Sequence, residues 1–326
     1  MENFEYFAPD SLDALPGLLS RKRERTMVLA GGTDLLDMLK ERIVKPEKVI
    51  NLKGIAGLKG IQHGEGVRIG ALTTIAEIAA DAGLKREYTV LAQAARSIAT
   101  PQLRNMGTLG GNLCQRPRCW YFRGRDYVCL KKGGSKCFAP EGLNKYNAII
   151  GGGPSFIVHP SDSAPALQAL QATVHTFGPQ GEDSIPMDEF FELPIDNLRA
   201  ENVLEPNEII TAVSIPKPAP GTRSAYIKFR EKQSLDFAIS SVAAVLEMEG
   251  SRVRDLRIVL GGVAPIPWRS HVAEDELRGK KLSDDTIRRA AEAAVSEAQP
   301  LSQNRYKITL TRNLVARTLR QLAAQG

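Results

Sequence analysis

All four cysteines of this 326-residue chain, Cys114, Cys119, Cys129 and Cys137, fall inside one stretch of two dozen residues. Around them, from Gln115 to Tyr146, the sequence has almost no regular hydrophobic period and is rich in Arg, Lys and Gly. An irregular segment of that length inside a compact domain needs an organiser, and a metal centre is the natural expectation. A disulfide framework fits less well. The N-terminus, Met1 to Tyr6, is acidic and polar rather than basic then apolar, so it does not read as a secretory signal. No apolar run approaches the ~20 residues that span a bilayer. A cytoplasmic chain without membrane contact is expected, and there thiols are kept reduced. A local thiol cluster in that compartment points to metal binding or redox chemistry.

The length allows about two domains, and 43% hydrophobic with 25% charged residues excludes wholesale disorder. A net charge of +6 is carried by scattered residues. Aromatic and basic residues interleave only once, at Cys119 to Arg125, so no nucleic-acid partner is expected.

Hydrophobic spacing predicts helices after Asp10-Ser11 and over Leu35 to Arg42, with strands at Thr26 to Ala30 and Val49 to Leu52. Short strands are expected at Ile55 to Ile61, Val67 to Ile69 and Phe156 to Val158. Helices are expected at Thr74 to Ala82, Leu91 to Ile98 and Asp162 to Ala172. The proline-rich run Pro216 to Pro220 marks a domain boundary. Strands at Ala225 to Arg230, Ser240 to Glu249 and Leu256 to Gly261 follow it, then helices at Asp284 to Gln299 and Lys307 to Ala324, which suggests an α+β second domain.

Two glycine segments carry the ligand signal. Gly31-Gly32 lies between an apolar run and a helix, where the backbone can turn tightly and bring N–H groups to an anion such as a pyrophosphate. Gly107-Thr-Leu-Gly-Gly-Asn112 is a second such segment, with hydroxyl and amide side chains added. Together they suit a dinucleotide, and two unrelated tight turns remain the alternative. Neither is a Rossmann fingerprint, and no Walker motif is present.

In order, Ala30 to Asp34, Ile69 to Thr74 and Arg104 to Asn112 resemble the FAD-binding subunit of molybdenum hydroxylases, the xanthine dehydrogenase and CO dehydrogenase family. Pro160 to Pro165, Tyr226 to Lys228, Asp236 to Ala238, Gly261 to Pro265, Arg269 and Tyr306-Lys307 extend the resemblance almost end to end. It implies an α+β fold: a two-part FAD-binding domain of the PCMH type over 1–217, with subdomains of about 1–54 and 55–217 and a Cys-rich insert at about 114–146. A smaller α+β C-terminal domain of the CO dehydrogenase flavoprotein type would cover 221–326.

The resemblance also implies roles. Ala30, Gly31, Gly32, Thr33, Asp34, Leu35 and Leu36 would wrap the FAD pyrophosphate through backbone N–H groups. Gly107, Thr108, Leu109, Gly110, Gly111 and Asn112 would hold the diphosphate and ribityl region, with Thr108 and Asn112 as side-chain contacts. Asp162 falls near the ribityl chain, Phe237 by the isoalloxazine ring and Lys228 near the flavin, without a certain catalytic residue among them. Bland alternatives are a helix N-cap for Asp162, core packing for Phe237 and a solvated strand position for Lys228.

The cysteine pattern resembles a branch that includes 4-hydroxybenzoyl-CoA reductase and bacterial aldehyde oxidoreductases, whose flavin subunits carry an additional [4Fe-4S] cluster. Four thiolates suit a cubane cluster or a tetrahedral zinc, and zinc sites favour paired knuckles that these spacings lack. Free thiols are the third possibility. Because both glycine segments lie outside the insert, flavin binding is expected to survive loss of a cluster.

The resemblance implies an electron-transfer subunit. A separate molybdopterin-binding large subunit would oxidise an aldehyde, a xanthine or an aromatic acyl-CoA. A separate [2Fe-2S] small subunit would relay electrons, and NAD, ferredoxin or a quinone would be the external acceptor or donor. The C-x4-C-x2-C spacing of plant-type clusters is absent from this chain. The rivals are a self-contained FAD-dependent oxidoreductase and a zinc-stapled binding module.

Overall fold

The strands β1 (Glu5–Phe7), β2 (Thr26–Leu29) and β3 (Lys48–Asn51) form a parallel sheet in the order β1-β3-β2. This is a computed structural model that describes residues 1–22 and 24–325. Parallel neighbours need a crossover, and α1 (Leu35–Lys40) supplies it between β2 and β3, burying Leu35, Met38 and Leu39. Gly32 turns the chain into α1 at a φ of 75°, a left-handed conformation that glycine adopts without a Cβ penalty. The helix expected after Asp10-Ser11 is absent. Pro16 and Gly17 interrupt it, and Leu12 to Leu19 form turns that still bury Leu15 against the Ile50 core.

A second sheet is antiparallel, with the order β4-β5-β8-β6-β7. Its strands are β4 (Ile61–His63), β5 (Gly66–Gly70), β6 (Thr173–Gly178), β7 (Gly181–Pro186) and β8 (Ile209–Pro216). Of the segment expected as a strand from Ile55 to Ile61, only Ile61 is one, and Phe156 to Val158 is irregular. Between β5 and β6 run α2 (Ile75–Ala80), α3 (Ala82–Glu87), α4 (Thr89–Ser97), α5 (Pro101–Met106), α6 (Leu109–Leu113), α7 (Trp120–Arg123) and α8 (Ser163–Ala169). A reciprocal Thr74–Glu77 capping box starts α2. Ile69, Ile78, Leu91, Leu109 and Val213 share the main core of this region.

The third sheet is an antiparallel meander, β9 (Arg223–Phe229), β10 (Ser240–Glu249), β11 (Arg252–Gly261) and β12 (Trp268–Arg269). β10 is buried without a break from Ser240 to Leu246, because both of its faces are covered. Val242, Ala244 and Leu246 face the core containing Leu314 and Val315, whereas Ala243 and Val245 join the core built on the second sheet. The two halves of the chain therefore share a core. With α9 as Met187–Phe190, the C-terminal helices are α10 (His271–Asp275), α11 (Asp284–Ala293) and α12 (Tyr306–Ala323). At the start of α12 the buried Lys307 donates from Nζ to the carbonyls of Tyr146, Asn147 and Gly262 at 2.9, 3.1 and 2.8 Å, tying the end of the cysteine insert to this half. Among the described residues no helix is long and apolar enough to cross a membrane.

Candidate functional site

The two glycine segments are held together by the chain between them. Leu109 N–H donates to the Thr73 carbonyl at 3.0 Å, Gly110 N–H to Ala71 at 2.8 Å, and Ile75 N–H to Gly107 at 2.9 Å. Thr108 caps α6 by accepting from Gly111 N–H at 3.2 Å. The second segment is thus a cap and the helical turn that follows it. Its Leu109 is fully buried.

The first segment packs directly on the second: a Cβ on Gly31 would stand 1.9 Å from the Met106 carbonyl oxygen. Among the described residues, the N–H groups of Gly31, Gly32, Thr33 and Asp34 donate to no acceptor in the chain. All four residues line a groove that Ala30, Thr108, Gly110 and Gly111 also border. Consecutive unsatisfied N–H groups in a tight turn make an anion-binding concavity, so these residues fit a pyrophosphate. Leu36 lies exposed beside Gly32, outside the groove.

Asn112 turns away from that groove, its Oδ1 accepting from Ser161 Oγ at 2.6 Å. The next residue, Asp162, is buried; its carboxylate accepts from Tyr226 OH at 2.6 Å and from Lys228 Nζ at 2.7 Å. Asp162 makes no capping hydrogen bond to α8, and Lys228 is buried in the pair, so neither bland alternative holds. Burial, and secondly the Asp162 charge, push the Tyr226 phenol well above its ordinary value of 10, which keeps it a donor. Tyr226 has no role in the sequence reading.

Phe237 is 40% exposed rather than core, with the Arg118 guanidinium 4.8 Å over its ring. It lines a cavity with Cys119, Trp120 and Tyr146, whereas Lys228 lines another with Arg230 and Arg317. The two flavin-proximal candidates therefore do not share a cavity.

The insert has organisers that the sequence reading missed. Tyr121, Tyr127 and Phe138 form a three-ring cluster with centroids 5.1–5.7 Å apart. Arg116 and Arg123 lie over the buried Phe122 ring at 4.9 and 5.6 Å. Asp34 pairs with Arg118 and Arg123, each at 2.6 Å, and accepts from the Arg116 backbone N–H at 2.8 Å. Glu201 pairs with Arg116 at 2.6 Å and with the buried Lys131 at 2.9 Å. The run Arg116-Pro-Arg-Cys119 was the available sequence signal, but it does not name its partners.

None of the four cysteines is in a disulfide. Cys114 is exposed at the glycine groove, near Asn202 Nδ2 at 3.9 Å. Cys119 stands near Asn147 Nδ2 at 3.8 Å, and burial pushes its thiol up. Cys129 is buried in the apolar cluster around Phe122. Among the described residues no three His, Cys, Asp or Glu side chains gather closely enough to hold a metal ion. The structure therefore does not assemble the expected ligand set of Cys114, Cys119, Cys129 and Cys137. The aromatic cluster and the two carboxylate anchors supply order that the sequence reading assigned to a metal.

His159, also buried, accepts the Ser161 N–H at Nδ1 and packs edge-on against Phe191 at 4.5 Å. Burial lowers its pKa to about 4. Unfolded, it would titrate near 6.5. Above that pH both states are neutral and it contributes no pH dependence. As pH falls from 6.5 towards 4 the unfolded state takes up the proton first, so stability drops, by about 3 kcal/mol in all. Urea midpoints between pH 7 and 4.5 should show this slope, and His159→Gln should flatten it. An unchanged slope in that variant would assign the effect to other groups.

Residues 2–218 match the family described as FAD binding domain in molybdopterin dehydrogenase, and residues 224–322 match the CO dehydrogenase flavoprotein C-terminal domain. The chain is 38% identical over 303 residues to the aldehyde oxidoreductase FAD-binding subunit PaoB of Escherichia coli K12, covering 91% of this chain and 92% of that one. It is 30% identical over 322 residues to the carbon monoxide dehydrogenase medium chain of Hydrogenophaga pseudoflava, covering 97% and 96%. A solved structure of the Hydrogenophaga pseudoflava carbon monoxide dehydrogenase superposes with a TM-score of 0.78 at 29% identity, over 99% of this chain and 98% of the other.

Proposed function

Because this chain belongs to the family of FAD-binding domains in molybdopterin dehydrogenases, we propose that it is the flavin-carrying electron-transfer subunit of a multi-subunit molybdenum hydroxylase. The observation that carries this reading is the groove lined by Gly31, Gly32, Thr33 and Asp34, whose N–H groups the chain itself leaves without acceptors. When bound, FAD accepts and releases electrons singly or in pairs. The chain's own residues bind and orient it. The first glycine segment meets the pyrophosphate charge, and Thr108 fixes the second segment by capping rather than by reaching outward.

A molybdopterin-binding large subunit and a [2Fe-2S] small subunit are the proposed partners. The relatives named a FAD-binding subunit and a medium chain support a place in such an assembly. An aldehyde is the first substrate to test, ahead of xanthines and aromatic acyl-CoA, because PaoB belongs to an aldehyde oxidoreductase. NAD, ferredoxin and a quinone are the external electron partners to compare, in the cytoplasm.

The finer proposal is a [4Fe-4S] cluster on Cys114, Cys119, Cys129 and Cys137. Its support is their confinement to one insert and that none of them is in a disulfide. As arranged here the thiols do not form a ligand set, so no electron route is drawn through them. Co-expression with the two partner chains tests the whole reading. The expected complex contains one FAD per copy of this chain and reduces dye with aldehyde, while the isolated chain does not. Substrate-dependent dye reduction by the isolated chain would instead support a self-contained oxidoreductase. Iron and acid-labile sulfide of about four each would support the cluster, and one zinc without sulfide would overturn it.

A further inference from the structure

Asp34 lies in the segment that should meet a pyrophosphate, yet its carboxylate has the wrong sign for that task. Its charge is taken up from 82 to 89 residues away, by the cysteine insert. Arg118 Nη1 and Arg123 Nη2 each stand 2.6 Å from Oδ1, and the Arg116 backbone N–H donates to Oδ2 at 2.8 Å. Arg123 donates onward to the carbonyls of Pro117 and Arg116 at 2.8 and 3.0 Å, bracing the start of the insert. The Asp34 side chain is only 15% exposed, so these contacts exceed ordinary surface ion pairs. Glu201, which lines the same groove, anchors the insert a second time through Arg116 and Lys131.

We propose that Asp34 is a positioning residue through which the flavin-binding segment and the cysteine insert stabilise each other. Two physical terms support this, and both rest on the flavin reading above. The arginines fix the direction of the Asp34 side chain, and with it the backbone that presents the N–H groups of Gly32 to Asp34. They also set two guanidinium charges against one carboxylate, which turns a repulsive neighbour of a phosphate into an attractive one. Linkage is reciprocal: if an ordered insert favours flavin, bound flavin must favour an ordered insert by the same factor. The flavin site and the insert are therefore not independent, contrary to the expectation from their separation in sequence.

The test uses the full-length chain and two readouts. FAD affinity is measured by fluorescence titration of the apoprotein, and insert order by the rate of tryptic cleavage at Lys132 and Lys136 with and without FAD. In the wild type, FAD should slow cleavage at least fivefold. Asp34→Asn should weaken FAD at least tenfold and abolish that protection. Arg118→Gln should do the same in part, Arg118→Lys should recover most of the loss, and Arg118→Gln should add little in the Asp34→Asn background. Should Asp34→Asn not fold, the Arg118 pair carries the test alone. FAD affinity within twofold of wild type in a folded Asp34→Asn or Arg118→Gln, or cleavage indifferent to FAD in the wild type, would overturn the linkage. A wild-type chain that takes up no FAD would overturn the flavin reading and the linkage with it.

Discussion

Gly31→Ala should strip the flavin. The added Cβ would stand 1.9 Å from the Met106 oxygen, 2.7 Å from the Met106 carbonyl carbon and 3.1 Å from Gly107 Cα. All three are backbone atoms, and they cannot step aside as a side chain can. Gly107 is held on both sides, its N–H by the Leu103 carbonyl at 2.7 Å and its carbonyl by Ile75 N–H. Relief therefore has to come from parting the two glycine segments by an ångström or more, which opens the groove where the phosphate would sit. Flavin absorbance per chain after gel filtration should fall to about a tenth or less, with a stability loss of about 2–4 kcal/mol from overpacking. Gly64→Ala is the matched control, because nothing lies within 4 Å of its Cβ position. Full flavin occupancy in Gly31→Ala would remove the first glycine segment from the site.

What the sequence made legible was local. Thr26 to Leu29, the glycine turn and α1 follow one another within fifteen residues, so an apolar run, a turn residue and a helical spacing suffice to place them. The two long strands of the third sheet, β10 and β11, were legible for the same reason, as apolar runs bounded by turns, whereas the two-residue β12 was not expected. Partner choice was not. Asp162 and Lys228 are 66 residues apart, and nothing in either neighbourhood says that the carboxylate takes this lysine rather than solvent or a ligand.

The misread segments share one cause, a tertiary context that overrides the local pattern. β7, Gly-Glu-Asp-Ser-Ile-Pro, shows no apolar alternation because it is an edge strand paired only to β6. The leucines from Leu12 to Leu19 have helical spacing, but it is turns that bury Leu15 and Leu19 and half-bury Leu12 and Leu18. In the insert, order comes from a cluster of three rings, one pair stacked and two edge-on, and from two distant carboxylates, neither of which leaves a period in the sequence. The cysteines drew attention to the right segment but carry no sign of these rings and carboxylates.

Lys228→Met should cost about 3–5 kcal/mol, the usual penalty for leaving one member of a buried ion pair without its partner. The lysine Nζ now serves Asp162 at 2.7 Å and the Ser97 carbonyl at 3.3 Å, and after substitution only Tyr226 OH would remain to the carboxylate. Methionine nearly matches the lysine stem in volume, so lost packing contributes little and the loss reports the charge. Adding Asp162→Asn in the same chain should restore most of the stability, since the buried charge is then gone along with its partner. Urea denaturation at pH 7 measures both variants, and equal losses in the single and double variants would show that packing, not charge, is at stake. Flavin content separates a further question. A pair kept only for stability would leave the restored double variant able to bind FAD, whereas a pair kept for the cofactor would leave it folded and empty. Replacing a buried ion pair by neutral groups is often neutral or stabilising, so stability alone gives little reason to keep the pair, and we propose the second outcome as the expected one.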